Sequence, residues 1–199
     1  MNILAFSDLH HSRAKADALV SGSQEADLVI GAGDFCNMRN GLDDAMRMLD
    51  GIRCPMIVVP GNAESAEELR DAARADTIVL HGEETEFEGL RLFGLGYGVP
   101  VTPFGPWSCD LDEAAAAAML QKCGTADILV THSPPKGVAD ATSNGMSVGS
   151  DAIRKTIERM QPKLALCGHI HDSWGRSGLI GKTRVCNLGP SGHVFEVAP

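Results

Sequence analysis

The sequence predicts an α/β fold, a four-layer αββα sandwich in which two mixed β-sheets pack face to face with helices outside. Three observations carry this expectation. Short unbroken apolar runs recur along the chain (Ile3–Phe6, Leu28–Ile30, Met56–Val59, Ile128–Val130 and Leu164–Leu166) and read as strands buried on both faces. Segments of helical patterning separate the first runs, which is βαβ architecture with right-handed crossovers. Beyond residue 80 hairpin signals appear, and a parallel half followed by hairpins implies a second sheet packed on the first.

Taken in order, the helical segments are Arg13 to Val20, Gly41 to Leu49, Ser65 to Arg74, Leu111 to Cys123 and Ser150 to Met160. Ser65 with Glu68 has capping-box spacing, Asp110 with Glu113 has its aspartate variant, and Ser150 is an N-cap ahead of Ile153, Ile157 and Met160. The run Ala114–Ala118 is a helix interior. Glu86 to Phe93 reads as a hairpin turning at Glu88-Gly89, Ser177 to Asn187 as a second turning at Gly181-Lys182, and Val194–Val197 as a closing strand. Gly94 to Trp107, rich in Gly and Pro, is expected to be an irregular loop near the strand ends. Its glycines do not make a nucleotide fingerprint, because no helix follows them.

At 199 residues the chain is expected to form one domain spanning 1–199, able to bury roughly 70% of the surface of its unfolded form. A net charge of −9 opposes broad nucleic-acid binding, since phosphate backbones are repelled at long range. A small phosphorylated substrate remains compatible with a locally positive pocket. No apolar stretch approaches the ~20 residues of a membrane span, so no membrane partner is expected. The six cysteines include no C-x-x-C pair and the N-terminus has no charged-then-apolar leader pattern, so a reducing, cytoplasmic setting is expected. No motif specifies an oligomeric state.

Each apolar run ends in a residue type that binds metals: Asp8 and His10, Asp34, Asn62, His132, and His169 with His171. In open α/β folds function sits at the carboxyl ends of the strands, so all five clusters should converge there. The two-residue spacing of Asp8/His10 and of His169/His171 lets both members of a pair face one side of extended backbone. Singly, Gly33-Asp34 or Gly61-Asn62 is an ordinary turn dipeptide. Jointly they are not, because independent turn residues have no reason to be histidine four times. The set is imidazole, carboxylate and one amide oxygen without thiolate, which argues against a structural zinc site. Seven ligands exceed what one tetrahedral ion uses, so two divalent ions roughly 3.5–4 Å apart, bridged by Asp34, are expected. Mn²⁺ is the expected metal, with Fe, Zn²⁺, Co²⁺ and Ni²⁺ compatible. Such a site carries about +2 after Asp8 and Asp34 are counted, which suits a phosphoryl group, and a metal-bound water with its pKa lowered to ~7 would supply hydroxide as nucleophile.

The ordered series Asp8-Leu9-His10, Gly33-Asp34, Gly61-Asn62, Thr131-His132 and Gly168-His169-Ile170-His171 resembles the calcineurin-like metallophosphoesterase superfamily, across nearly the whole chain. The resemblance implies a two-sheet sandwich without a cap domain. It also implies that Asp8, His10, Asp34 and His171 hold one metal while Asp34, Asn62, His132 and His169 hold the other. Thr131-His132-Ser133-Pro134-Pro135 and the compact size are similar to small phosphodiesterase-like members. The implied activity is metal-dependent hydrolysis of small phosphate esters, diesters favoured, with a phosphomonoesterase as the alternative and a non-catalytic metal-binding scaffold as the alternative of another class.

Many members of that superfamily carry a histidine after the Gly-Asn pair that assists the leaving group; this chain has Ala63, and small members resembling it also lack the histidine. A positioned acid contributes ~10²–10⁴ in rate, so activated aryl esters should outperform alkyl esters. His11 is a candidate substitute acid or substrate contact. Glu64 is a weaker one, its plain alternative being a first-turn carboxylate that favours a helix dipole. Asn62 and Asn37 are candidate substrate contacts. Lys136, His81 and His193 are expected to be ordinary surface residues, Tyr97 and Trp107 to line either the pocket mouth or the core, and Cys36 to be an inert buried thiol.

Overall fold

The computed structural model describes residues 1–198. Its first sheet has the order β11-β1-β2-β3-β4, built from β1 (Asn2–Phe6), β2 (Leu28–Gly31), β3 (Met56–Val58), β4 (Thr77–Val79) and β11 (His193–Glu196). β1 to β4 are parallel, and β11 closes the sheet antiparallel to β1. The second sheet has the order β5-β6-β7-β8-β10-β9, from β5 (Glu83–Phe87), β6 (Leu90–Leu95), β7 (Ile128–Thr131), β8 (Leu164–Cys167), β9 (Ser177–Ile180) and β10 (Thr183–Asn187). Its centre is parallel, and the two hairpins β5-β6 and β9-β10 form its margins.

Alternation along each strand produces the four layers. Ile3, Ala5, Leu28, Ile30 and Ile57 of the first sheet meet Leu92, Ile128, Val130, Leu164 and Leu166 of the second in one inter-sheet core. The intervening residues Leu4, Phe6, Val29, Met56 and Val58 face outward, where they pack with residues of α1 (Arg13–Gly22), α2 (Leu42–Met48) and α3 (Ala66–Ala72). Phe93, Leu129 and Ala165 do the same against α4 (Glu113–Leu120) and α5 (Asp151–Met160). Both faces of each central strand are therefore apolar, which is why the runs are unbroken rather than alternating.

Several local expectations hold. The Ser65/Glu68 capping box is complete, and the Ser150 side chain accepts from the Ile153 N–H. Others are corrected. The strands of residues 1 to about 80 stay together in the first sheet, while the second sheet has a parallel centre of its own in β6, β7, β8 and β10, so neither hairpin stands alone. Thr77–Val79 forms an edge strand that its three residues did not announce. The N-cap of α4 is Asp112, whose side chain accepts from Ala115 N, rather than Asp110. Glu113 instead reaches across to α5, accepting from Ala152 N at 2.7 Å and Asp151 N at 3.0 Å, where its charge also favours that helix N-terminus. The irregular loop starts after Leu95, because Gly94 and Leu95 pair with β7. His193 lies at the start of β11 and donates from Nε2 to Leu188 O. His81 is half-buried against Tyr97, with ring centroids 4.1 Å apart.

Candidate metal centre

The carboxyl ends of β1, β2, β3, β7 and β8 meet at one edge of the sandwich and bring all seven predicted donors together. Asp8, His10 and His171 offer ligand atoms within 4.8 Å of one another, and so do Asp34, His132 and His169. Asp34 joins the two groups: its Oδ2 is 3.6 Å from His10 Nε2 and its Oδ1 3.4 Å from His132 Nε2. Asn62 completes the second group, with Oδ1 3.1 Å from His132 Nε2.

The loops that carry these ligands are tightly bent and closely packed. Asp8, His10, Asp34 and His169 all have positive φ, a conformation that costs on the order of 1 kcal/mol or more for a residue with a Cβ. Such strain at four of the seven ligands is tolerated because surrounding contacts hold it. A Cβ on Gly61 would collide with Asp34 Oδ1, and one on Gly168 would collide with Asp8 Oδ2. Only glycine permits these approaches of backbone to ligand carboxylate.

Neighbouring groups set the orientation of each donor. His10 Nδ1 lies 3.2 Å from Cys36 O and His132 Nδ1 2.8 Å from Ala32 O, so both rings carry their N–H on Nδ1 and present the Nε2 lone pair. The Asn62 amide nitrogen donates to Ser108 Oγ at 3.0 Å, which turns its carbonyl oxygen inward. The lone pair of His132 therefore faces an acceptor oxygen, and His10 Nε2 faces His171 Nε2 at 3.1 Å. Acceptors held as close as His132 Nε2 and Asn62 Oδ1 repel unless a positive charge, a proton or a metal ion, lies between them. The residues thus fit a bound cation, and the donor chemistry is that of a divalent first-row metal.

Electrostatics agree. Burial opposes ionisation of Asp8, yet the His171 hydrogen bond and the His132 charge hold its carboxyl below the usual range. Asp34 is held well below it, burial again being outweighed by His132 and then His10. Burial lowers the pKa of His132, but Asp34 and Asp8 drive it up to about 9, the mark of a site that demands positive charge. His169 is lowered to about 4, first by burial and then by His132, and so offers a neutral imidazole.

The side chains form a cavity of about 260 Å³ walled by His10, Asp34, Asn62, His169, His171, Phe104 and Trp107. Phe104 and Trp107 stack, with centroids 5.7 Å apart. Trp107 is therefore at the pocket mouth, as one of its two readings held, whereas Tyr97 packs on His81 and its hydroxyl accepts from Ala66 N. Phe104 was missed by the sequence analysis, although an aromatic residue in an irregular loop near the strand ends was the available signal.

The remaining candidates lie elsewhere. His11 packs toward Gly41 at the start of α2 and is not among the residues that wall the cavity. Asn37 uses its amide to donate to His10 O at 3.1 Å and so braces a ligand loop. Lys136 donates to Ser147 O. Cys36 is buried, its thiol donating to Ala63 O, and burial with the Glu64 charge raises its pKa far above the ordinary value. Glu64 is fully buried and accepts from the backbone N–H of Asp34 and Gly61, so it is neither a pocket acid nor a first-turn surface carboxylate. Trp174 Nε1 donates to Asp8 Oδ2 at 3.0 Å, and Asn187 Nδ2 donates to Gly168 O at 3.0 Å. Both are further supports of the ligands that sequence patterning did not single out.

Comparison with known proteins gives a consistent result. The model of a family described as the calcineurin-like phosphoesterase superfamily domain matches residues 1–198. Human metallophosphoesterase domain-containing protein 1 is 31% identical over 124 residues, covering 58% of this chain and 35% of that protein. The Caenorhabditis elegans UPF0046 protein K07C11.7 is 27% identical over 174 residues, covering 76% of this chain and 58% of its own length. The chain thus spans about a third of the human relative and under two thirds of the nematode one. Among solved structures, TT1561 of Thermus thermophilus superposes with a TM-score of 0.77 at 18% identity, covering 96% of this chain and 90% of that one. A dimetal phosphatase from Danio rerio gives a TM-score of 0.63 at 15% identity, covering 96% and 88%. At these identities the structural likeness establishes the fold.

Proposed function

The chain belongs to the calcineurin-like phosphoesterase superfamily, and from that premise we propose that it is a metal-dependent phosphodiesterase acting on small phosphate esters, with two divalent ions at its centre and Mn²⁺ as the working metal. The carrying observation is the convergence of seven donors into two groups joined by Asp34 at one sandwich edge. Divalent ions bound there supply Lewis acidity towards phosphoryl oxygens and acidify water. The chain's own groups do the rest. Nδ1 hydrogen bonds from His10 and His132 fix the tautomers that present Nε2. Asn62 presents its carbonyl oxygen because Ser108 takes its amide, and Phe104 and Trp107 give the cavity one aromatic side.

Preference for diesters is supported by charge. Among the described residues no Lys or Arg walls the cavity, so it has no side-chain cation to hold the second charge of a monoester. Retention of all seven donors argues against a scaffold that has lost its chemistry. A cytoplasmic setting is part of the same reading, supported by six free cysteines. Among the described residues no helix is long and apolar enough to cross a membrane.

The test compares bis(p-nitrophenyl) phosphate with p-nitrophenyl phosphate under Mn²⁺, alongside metal analysis of protein purified without chelator. A higher kcat/KM for the diester and about two bound metal ions per chain are expected. Asp34→Asn should reduce the rate by about 10³-fold, since it removes the charge shared by both groups. Preference for the monoester would favour the phosphomonoesterase, and inactivity across Mn, Fe, Zn, Co and Ni would favour a scaffold.

A further inference from the structure

We propose that a second cavity beside the metal centre receives an uncharged apolar group, alkyl or aryl, carried by the phosphate ester that this enzyme hydrolyses. The inference rests on the phosphoesterase reading above and names the substrate class. The cavity has a volume of about 470 Å³, within the roughly 300–1,000 Å³ of small-molecule sites. It shares two walls, Phe104 and His169, with the metal cavity, so a molecule whose phosphorus sits among the ligands can extend directly into it.

Its chemistry is apolar. Val99, Val101, Pro103, Phe104, Val148 and Ile170 form much of the lining. Val101 is 61% exposed and Phe104, although stacked on Trp107, is 50% exposed, which leaves apolar surface of both open at the rim. Each polar side chain of Thr102, Lys136, Thr142 and Ser147 in the same wall already makes a hydrogen bond within the protein. Lys136 donates to Ser147 O at 2.9 Å, and Thr102 Oγ1 donates to Asp110 Oδ2 at 2.9 Å. Thr142 Oγ1 bonds to Asn144 and Ser147 Oγ to Asp140. Apart from Lys136, whose ammonium keeps its charge and further N–H donors at one side of the wall, those groups are satisfied internally, so most of what the cavity offers an incoming ligand is hydrocarbon surface, where a strongly polar group would lose hydration without compensation.

Asp110 explains why the wall stands where it does. It accepts from Thr102 N at 3.1 Å and from Ser108 Oγ at 2.9 Å, pinning the two sides of the loop that carries Phe104. The same Ser108 orients Asn62, so the apolar wall and a metal ligand are held by one hydrogen-bonded network.

The test uses p-nitrophenyl phosphodiesters whose second ester group is methyl, butyl or hexyl, so that the leaving group is constant, with Mn²⁺-loaded protein. kcat/KM should rise roughly four-fold per methylene until the cavity is filled. Val101→Asp and Val148→Asp should flatten that slope while the methyl diester is still turned over. A flat series in the unsubstituted protein, or a slope that survives both substitutions, overturns the inference. Calorimetric titration with methyl-, butyl- and hexylphosphonate provides a readout independent of turnover. Should no diester be hydrolysed, the phosphodiesterase reading fails, while affinity rising with chain length still supports the apolar site and constant affinity overturns it.

Discussion

Glu64 and Asp34, thirty positions apart, are joined by a buried hydrogen bond: the Glu64 carboxylate accepts from the Asp34 backbone N–H at 2.8 Å. The same oxygen accepts from Gly61 N at 2.7 Å, so one side chain clamps the loops after β2 and β3, which carry Asp34 and Asn62. Burial, and then the charge of Asp34, raise its pKa to about 7. Glu64→Gln keeps the volume but can turn a donor towards those N–H groups. We expect a 10–100-fold loss of metal affinity and a stability loss of about 1–3 kcal/mol, read by titration calorimetry and thermal unfolding. Unaltered metal affinity would show that the clamp does not position the ligands.

Trp174 supports the other ligand group. Its Nε1–H donates to Asp8 Oδ2 at 3.0 Å while its ring lies 4.3 Å from that of His171. Trp174→Phe keeps an aromatic ring and removes the hydrogen bond. Metal affinity should fall by about tenfold with little change in Tm. A drop in Tm without a change in affinity would assign Trp174 to packing alone.

Stability towards acid should depend on His81. Its Nδ1 accepts from Gly96 N, and burial followed by the Arg70 charge lowers its pKa to about 4 from 6.5. The unfolded chain therefore binds a proton that the folded chain refuses. His81 contributes fully above pH 6.5 and loses that contribution as pH falls towards 4, by about 1–2 kcal/mol after allowance for solvent screening. His81→Asn retains an acceptor for Gly96 N–H without ionising. Unfolding curves at pH 7 and pH 4.5 should show the parent losing more stability than the variant; equal losses would exclude His81 as the source.

Under the proposed phosphodiesterase reading, Ala63 is expected to govern the choice of leaving group. It is buried and supplies no proton to the cavity, so departure of the leaving group goes without a side-chain acid at that position. Rates should fall steeply as leaving-group pKa rises, with aryl esters ahead of comparable alkyl esters by ~10²–10⁴. A shallow dependence across substituted phenyl esters would reveal an acid elsewhere in the site.

The ligand set was legible in the sequence because its signal is local: an apolar strand followed within a few residues by Asp, Asn or His. The complete Ser65 capping box and both hairpins were legible for the same reason, since their determinants lie within about ten residues of one another. Asp110 was misassigned as a cap because its partners Thr102 and Ser108 precede it in a loop with no period. Phe104 carried only the faint signal of an aromatic residue in an irregular loop near the strand ends, with no period to set it apart. Glu64 and Trp174 act on residues far away along the chain, and no spacing rule connects such positions.

By itself the sequence determined every strand but Thr77–Val79, most helix starts, the seven donors and their convergence at the strand ends, because apolar periodicity and ligand type are written residue by residue. Only the tertiary structure decided that β1, β2 and β3 share one sheet while β7 and β8 lie in the other, and that Glu64, Trp174, Asn187 and Asp110 brace the ligands and the pocket wall. The physical reason is that a strand apolar on both faces does not encode which strands it will lie beside. A buried polar group likewise finds its hydrogen-bond partner only when packing has brought distant backbone within about 3 Å.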